Sequence, residues 1–411
     1  MAPFPLPLEA LLGKAGMYLI YLVIGFAFGY VLEISGFAIS TKLAAQFYFK
    51  DLTVLKVMFT AIVVAMVLIF GASAIGLLDY NLIWVNPTYI WSGILGGLIM
   101  GFGFIIGGFC PGTSLVSLAT FKIDGLFFAL GGLFGIFLFG ETVQNFDSFW
   151  NGSYLGRFTL MDWLGLPTGV VVLLVILMAL FMFWGGEQLE RIFGGRDLKK
   201  EPRRRYAGAA VLALAGVLVL LIGQPTTSEK WTRLASTKDQ ALAAREVQIH
   251  PGELLATRAD DQINLVMLDV RSEADYNQFH LHGARRLPQD QIESVIPALL
   301  LEPAANTVYI LMSNDETAAT QAWKTMVAQS VPNVYILEGG INHWLEIFNA
   351  GDPQITPTPV PPGNDLLGYT FQAALGDRYS AADPNPHEWE LEYTPKIKLQ
   401  QKRGPSGGGC G

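Results

Sequence analysis

Six long apolar segments constrain this chain more than any other feature. A helix needs about 20 apolar residues to cross the roughly 30 Å hydrocarbon core of a bilayer. Six segments approach that length, at approximately residues 17–38, 55–77, 89–108, 124–140, 166–184 and 206–223. The surrounding hydrated sequence is too short to cover so much apolar surface in water. The pattern therefore predicts a polytopic α-helical membrane domain over residues 1–224, with membrane lipid as its solvent.

After about residue 224 the sequence changes to that of an ordinary soluble protein. Apolar runs of strand length at 262–270, 306–313 and 333–338 alternate with helical stretches at 290–301 and 316–329. This alternation predicts an α/β domain with a largely parallel sheet. The expected organisation is a multi-domain chain with a membrane domain at 1–224, a linker at 225–246, an α/β domain at 247–350 and a Pro/Gly-rich tail at 351–411 that has little core of its own.

Composition excludes several classes of function. The net charge is −8 with no basic stripe, so nucleic acid is not an expected partner. Two cysteines, Cys110 and Cys410, cannot form a disulfide framework, and none of the five histidines clusters with them. No metal site and no cofactor are predicted. The N-terminus has no charged region or cleavage site typical of a signal peptide.

Basic residues in the short loops predict the orientation in the membrane. The loop 185–206 contains the strongest cluster, namely Arg191, Arg196, Lys199, Lys200, Arg203, Arg204 and Arg205. This loop should face the cytoplasm. Six crossings then leave both termini outside, with the soluble domain extracytoplasmic. A re-entrant segment or a miscounted helix would reverse that orientation.

An internal repeat occurs at an offset of 72 residues. Residues 25–43 recur at 97–115 through Gly25, Gly29, Ile34, Gly36, Phe37, Thr41 and Leu43, which match Gly97, Gly101, Ile106, Gly108, Phe109, Thr113 and Leu115. We interpret this as a duplication, although glycine-rich helices also agree by chance. Transporters are often built from such repeats, with the binding site at the repeat interface.

The second repeat ends in a Gly-rich break, GGFCPGTS at 107–114. Pro111 suits the first turn of a new helix, so one helix should end here and another begin. Irregular backbone at membrane depth lines a cavity or is buried in protein, and a helix N-terminus favours anions. The candidate binding residues for a small anion are Gly107, Gly108, Cys110, Gly112, Thr113 and Ser114. The alternative is a tight packing turn with an inert cysteine.

Glu33 is a second candidate in the membrane region. Intramembrane carboxylates are costly and often functional. Glu33 also lies near the expected cytoplasmic end of its segment, so it is equally consistent with a side chain that reaches the headgroups.

Residues 17–140 resemble the YeeE/YedE-type sulfur transport family. The resemblance rests on GFAFGYVLEISGF at 25–37 and GLIMGFGFIIGGFCPGTSL at 97–115. It implies a multi-pass protein of the prokaryotic inner membrane that takes up thiosulfate or a related small sulfur anion. A role in contacting substrate carries over only to Cys110. Family members have more membrane helices and more motif cysteines, so a cysteine relay would require several chains to associate as an oligomer.

Residues 247–350 resemble a rhodanese domain. The signature LDVRSEADYNQFHLHGARRLP at 268–288 and the closing LEGGINHWLE at 337–346 carry the match. In that family a cysteine after the central strand carries sulfane sulfur, and its loop ends in Arg-Ser. Here Met312 occupies the cysteine position, and the loop continues as Ser313, Asn314, Asp315, Glu316 and Thr317. A thioether is not a thiolate nucleophile, and carboxylates repel thiosulfate. An inactive sulfurtransferase that docks a substrate or protein partner is the expectation.

The chain ends in RGPSGGGCG, which places Cys410 on a flexible arm. Cys410 is a candidate sulfur carrier, and an incidental thiol is the alternative. Three hypotheses follow. The chain is a transporter component for thiosulfate or a related sulfur species, an accessory subunit of a larger membrane complex, or a sulfur-relay protein that uses Cys410.

Overall fold

The computed structural model describes residues 3–195, 204–301, 306–349, 351–361 and 363–399. The chain divides into two compact units, one within residues 2–224 and one within residues 225–405. Cys410 and four residues of the basic loop, Arg196, Lys199, Lys200 and Arg203, lie outside the described residues.

The first unit is built of helices. In the described residues these are α1 (Leu8–Ile34), α2 (Ser40–Ala44), α3 (Thr53–Ala74), α4 (Ile90–Gly107), α5 (Pro111–Ala119), α6 (Ile123–Thr142), α7 (Asp147–Trp150), α8 (Leu160–Leu164), α9 (Thr168–Phe193) and α10 (Arg204–Ile222). Six spans are long and apolar enough to cross a membrane: α1, α3, α4 with α5, α6 with the short helices after it, α9 and α10. The prediction of a six-span membrane domain is confirmed.

Helices α3, α9 and α10 pack together along their lengths. Val63 of α3, Ile176 of α9 and Val219 of α10 are buried in one apolar cluster. A charge is also buried there, because Glu190 is only 1% exposed. Its carboxylate pairs with Lys56 Nζ at 2.6 Å and accepts the N–H of Leu52 at 2.6 Å. This paired carboxylate joins the end of α9 to the start of α3 at a position where an unpaired charge would be costly.

The second unit is an α/β domain. Its helices are α11 (Thr227–Ala243), α12 (Pro251–Arg258), α13 (Glu273–Gln278), α14 (Ile292–Leu299), α15 (Thr317–Ala328) and α16 (Gly340–Phe348). Its strands are β1 (Gln248–Ile249), β2 (Asn264–Asp269), β3 (Arg285–Arg286), β4 (Thr307–Met312), β5 (Val334–Leu337), β6 (Ile355–Pro357) and β7 (Tyr369–Phe371). Strands β1 to β5 form a parallel sheet in the order β1-β5-β4-β2-β3, as the alternating pattern predicted.

Strand β4 lies at the centre of the sheet and is buried throughout. Its side chains alternate between two cores because successive residues of a strand face opposite sides. Val308, Ile310 and Met312 lie in the core that contains Trp344, whereas Tyr309 and Leu311 lie in the core that contains Trp323. The central strand therefore ends in a side chain that packs inward.

The structure corrects two boundaries of the sequence interpretation. The expected linker forms α11, which begins with a capping box between Thr226 and Glu229 and packs Trp231 edge-on against Trp323. The described part of the expected tail adds Ile355 and Tyr379 to the core of the domain. A polar helix and a Pro/Gly-rich segment carry weak apolar patterns, so their burial depends on partners far away in the chain.

Candidate functional site

The Gly-rich break joins α4 to α5 within one membrane span. Helix α4 ends at Gly107, and the next residue, Gly108, has left-handed backbone angles (φ 72°, ψ 12°). Helix α5 begins at Pro111, and Cys110 is its N-cap residue. The thiol accepts the N–H of Thr113 at 3.4 Å, while Thr113 Oγ1 accepts the N–H of Cys110 at 3.0 Å. The thiol is therefore held at the positive end of α5.

The two hydroxyl groups of the break point back into the chain. Thr113 Oγ1 also lies 3.2 Å from the carbonyl oxygen of Cys110, and Ser114 Oγ donates to the carbonyl of Pro111 at 2.8 Å. Both residues are buried, whereas Cys110 is partly exposed. Within the described residues the N–H of Gly112 has no hydrogen-bond acceptor. The groups left for a ligand are thus the sulfur of Cys110 and the N–H of Gly112, rather than the hydroxyls.

The break that follows α1, at Gly36, packs directly against the break that follows α4, at Gly108. Gly36 also has left-handed backbone angles, and it separates α1 from α2 as Gly108 separates α4 from α5. Phe37 and Phe109, which follow these glycines, are buried in one cluster with Leu43. A Cβ added to Gly108 would lie 2.9 Å from the carbonyl oxygen of Ser40, so only glycine fits at this approach. The two repeats meet at their breaks, beside Cys110.

Glu33 lies at the end of α1 and pairs with Lys122 Nζ at 3.2 Å. Lys122 precedes α6, so the ion pair joins the first and fourth spans. Glu33 is 39% exposed, and its second oxygen has no partner in the described part of the chain. A role for Glu33 in transport stays a prediction.

In the α/β domain, the signature residues support the loop that follows β4. The guanidinium of Arg271 is fully buried and pairs with Asp269 at 2.6 Å. It also donates to the Asn314 side chain at 3.2 Å. Asp275 accepts the amide of Asn314 at 3.1 Å. These residues therefore hold the loop in place beneath the carboxyl ends of the strands.

The loop begins without a cysteine, and carboxylates of the chain bind several main-chain donors in it and beside it. Met312 is completely buried, so its thioether faces the core. The N–H of Asp315 donates to Asp365 Oδ1 at 2.9 Å, and the N–H of Thr317 donates to Asp315 Oδ1 at 2.6 Å. The N–H of Gly339 donates to Glu316 at 2.7 Å. Each of these three main-chain donors thus binds a carboxylate of the chain itself.

An open groove of about 470 Å³ lies beside this loop. Its lining carries three carboxylates, Glu316, Glu338 and Glu346, and the guanidinium of Arg245. Arg245 is already bound to Glu316 at 2.7 Å and to Glu338 at 3.4 Å. The net charge of the groove is therefore unfavourable for a small anion.

Sequence reasoning missed Asp365 altogether. Asp365 belongs to a Pro/Gly-rich stretch without periodicity, and 50 residues separate it from Asp315. The sequence could have predicted Asp365 as a partner of the loop only if this stretch were already known to pack on the domain. In the described residues no three His, Cys, Asp or Glu side chains converge on a metal position.

Six apolar spans with a paired helix break, followed by a parallel α/β domain, define a multi-pass membrane protein that carries a rhodanese-like domain. The chain belongs to the sulphur transport family, whose model matches residues 35–257, more than half of the chain. The model of the rhodanese-like domain matches residues 250–347. By family, the protein is thus a member of the sulphur transport family whose chain also contains a rhodanese-like domain.

The chain is also similar to parts of two animal proteins. It is 29% identical over 114 residues to centrosomal protein of 41 kDa B of Xenopus laevis, covering 26% of this chain and 31% of that protein. It is 27% identical over 157 residues to centrosomal protein of 41 kDa of Homo sapiens, covering 34% of this chain and 40% of that protein. The chain thus spans less than half the length of these relatives.

Proposed function

We propose that this protein transports thiosulfate or a related small sulfur anion across a prokaryotic inner membrane, with Cys110 in contact with the substrate. The observation that carries the proposal is the position of Cys110. Its thiol caps the N-terminus of α5 at the place where the two helix breaks pack together. The residues Gly107, Gly108, Cys110, Gly112, Thr113 and Ser114 form the proposed site.

The chemistry of the break suits an anion that has a soft end and a hard end. The sulfur of Cys110 is a polarizable contact for a sulfane sulfur atom. The N–H of Gly112 and the helix dipole favour the oxyanion end without placing a full positive charge in the membrane.

The rhodanese-like domain has a non-catalytic docking role in this proposal. Met312 supplies no thiolate, the N–H groups of Asp315 and Thr317 are bound to carboxyl groups, and the N–H of Gly339 beside the loop is bound to Glu316. The basic loop between the last two spans favours a cytoplasmic position for that loop, which puts the domain outside the cytoplasm.

Uptake of radiolabelled thiosulfate into proteoliposomes tests the proposal. Cys110→Ser keeps a capping side chain at α5 but removes the soft sulfur, so we expect uptake to fall about tenfold or more, which corresponds to about 1.4 kcal/mol. Cys410→Ser is the matched control, because it removes the other thiol of the chain, and it should transport like the wild type.

The outcomes separate the parts of the proposal. Equal uptake by the wild type and Cys110→Ser would remove the role of Cys110 while leaving transport intact. Lack of uptake by the wild type would contradict thiosulfate transport. If the protein then co-purifies from native membranes with stoichiometric partners, the chain is an accessory subunit of a membrane complex.

A further inference from the structure

A segment near the end of the described chain lies across the degenerate loop. We call residues 363–368 the strap. Asn314 donates its amide to the carbonyl of Asp365 at 2.8 Å. Asn342 donates to the carbonyl of Leu366 at 2.9 Å and accepts the N–H of Gly368 at 2.7 Å. The amide side chains of Asn314 in the loop and Asn342 in α16 thus both bind the backbone of the strap.

Two carboxyl groups meet at the centre of this contact. The N–H of Asp315 donates to Asp365 Oδ1 at 2.9 Å, and the N–H of Asp365 donates to Asp315 Oδ2 at 3.2 Å. Because each carboxyl accepts from the other residue's main chain, the two carboxyl groups are drawn together. Two adjacent carboxylates repel strongly when both are ionised, and they attract when they share one proton.

The neighbourhood does not neutralise the pair with a cation. In the described parts of the chain, neither Asp315 nor Asp365 has an ion-pair partner. The adjacent guanidinium of Arg271 is bound to Asp269 and reaches the loop only through Asn314. The remaining charges beside the loop are Asp275, which binds Asn314, and Glu316, which is paired with Arg245. The pair therefore depends on a proton to remove its repulsion.

We propose that Asp315 and Asp365 form a one-proton latch, which holds the strap over the degenerate loop and opens as the pH rises. With one proton the two carboxyls are hydrogen-bonded and the strap covers the loop. With none, their repulsion acts against the five hydrogen bonds that hold the strap. Opening exposes the loop and the N–H of Asp315 to a ligand or partner.

The protonation behaviour of the two groups fits this arrangement. Burial and the neighbouring Asp315 raise the pKa of Asp365. Burial also acts to raise the pKa of Asp315, but hydrogen bonds from Thr317 and Asp365 outweigh it and lower that pKa. The raised group contributes stability that is lost as the pH rises through its folded pKa, and the lowered group contributes stability that is lost as the pH falls through its folded pKa. The latch is therefore closed between these two pKa values and opens on the alkaline side.

Hydrogen–deuterium exchange of the full chain in detergent tests the latch. Protection factors are measured for peptides of the strap and of residues 312–317, from about pH 3 to about pH 9, after correction for the intrinsic rate. We expect protection of both peptides to fall several-fold as the pH rises through the raised pKa of Asp365. A peptide from the buried strand β4 serves as the internal reference for global unfolding.

Three variants keep the test decisive. Asp365→Asn retains an acceptor for the N–H of Asp315 and adds a donor for its carboxylate, so its strap should stay protected at every pH. Asp365→Ala should leave both peptides unprotected at every pH. Asp352→Asn changes a carboxyl that binds only the N–H of Gln354 within its own turn, and it should behave like the wild type.

Protection of the wild-type strap that does not change with pH would overturn the proposal. So would a pH profile of Asp365→Asn that matches that of the wild type, because the proton would then reside elsewhere.

Discussion

In the membrane unit a helix ends at Gly107 and another begins at Pro111, whereas in the soluble unit a strand ends at Met312 and a helix begins at Thr317. Both connections place the start of a helix where an anion would be favoured. The membrane break keeps a partly exposed thiol at its turn. The soluble loop has a buried thioether at the end of the strand, and the chain's own carboxylates bind its donors.

The difference between the two connections lies in what satisfies the backbone donors. The carboxyl groups of Asp365 and Asp315 accept the N–H groups of Asp315 and Thr317 in the soluble loop, as an anion would. At the membrane break Pro111 has no N–H, and the thiol of Cys110 accepts the N–H of Thr113. In the described residues the N–H of Gly112 is therefore left without an acceptor. In the described residues the loop of the rhodanese-like domain thus contains no cysteine, and the described thiol, Cys110, lies in a candidate membrane span.

The largest expected effect comes from adding side chains at the glycines that close the two connections. A Cβ on Gly108 would lie 2.9 Å from the carbonyl oxygen of Ser40, and a Cβ on Gly340 would overlap the carbonyl oxygens of Asp315 and Ser313. Both glycines also have positive φ. We expect Gly108→Ala and Gly340→Ala to cost about 3 kcal/mol or more of stability, measured by thermal unfolding of the full chain.

The matched controls separate backbone conformation from crowding. Gly165 in the membrane unit and Gly363 in the soluble unit also have positive φ, but nothing lies within 4 Å of an added Cβ. Their alanine variants should cost only about 1–2 kcal/mol. If Gly108→Ala costs no more than Gly165→Ala, the close packing of the two membrane breaks is not essential.

A smaller effect is expected at His250, which caps α12. Its Nδ1 accepts the N–H of Gly252 at 3.0 Å, so the cap requires a neutral ring. His250→Ala should cost about 1 kcal/mol at neutral pH, measured by chemical denaturation. Burial, with the neighbouring His343, lowers the pKa of His250. The cap therefore contributes fully above the unfolded pKa and is lost as the pH falls through the lowered folded pKa.

This pH dependence sharpens the comparison, because the cap weakens on the acid side whereas the latch opens on the alkaline side. His250→Asn keeps a capping oxygen and should remove the acid-side loss. The exposed His387→Ala is the control and should leave the profile unchanged. If the loss of stability at acid pH persists in His250→Asn, that loss arises from groups other than His250.

The smallest expected effect is on catalysis by the soluble loop. Met312→Cys places a thiol where rhodaneses have their cysteine. The side chain at this position faces the core, however, and the N–H groups of Asp315 and Thr317 are bound to carboxyl groups. We expect no formation of thiocyanate from thiosulfate and cyanide above the rate of the wild type. Turnover by Met312→Cys, but not by Met312→Ser, would show that the loop opens readily and that only the nucleophile was missing.

The sequence was sufficient for the parts of the fold that depend on local patterns. The six apolar segments predicted the six spans, and the strand-length runs predicted β2, β4 and β5. Met312 was recognisable as the replaced nucleophile because the signature residues fix its position along the chain. Pro111 predicted where α5 begins, since proline is tolerated in the first turn of a helix.

Other features of the candidate sites depended on contacts between distant residues. The hydroxyls of Thr113 and Ser114 were expected to face a ligand, whereas they bind the turn itself. The packing of Phe37 against the region of Phe109 brings together two breaks that are 72 residues apart. Sequence alone lists these groups but does not say which partner each hydrogen bond takes.

By itself, the sequence determined that the first half of this protein lies in a membrane, that the second half folds around a parallel sheet, and that methionine stands at position 312, where the rhodanese resemblance implies a cysteine. Hydrophobic patterns and the identities of single residues carry that information, and both are local features of the sequence. Only the tertiary structure decided that α11 and the strap belong to the soluble domain and that Asp365 occupies the degenerate loop. These outcomes depend on burial and hydrogen bonding between segments that have no local pattern, and such energies exist only once the chain has folded.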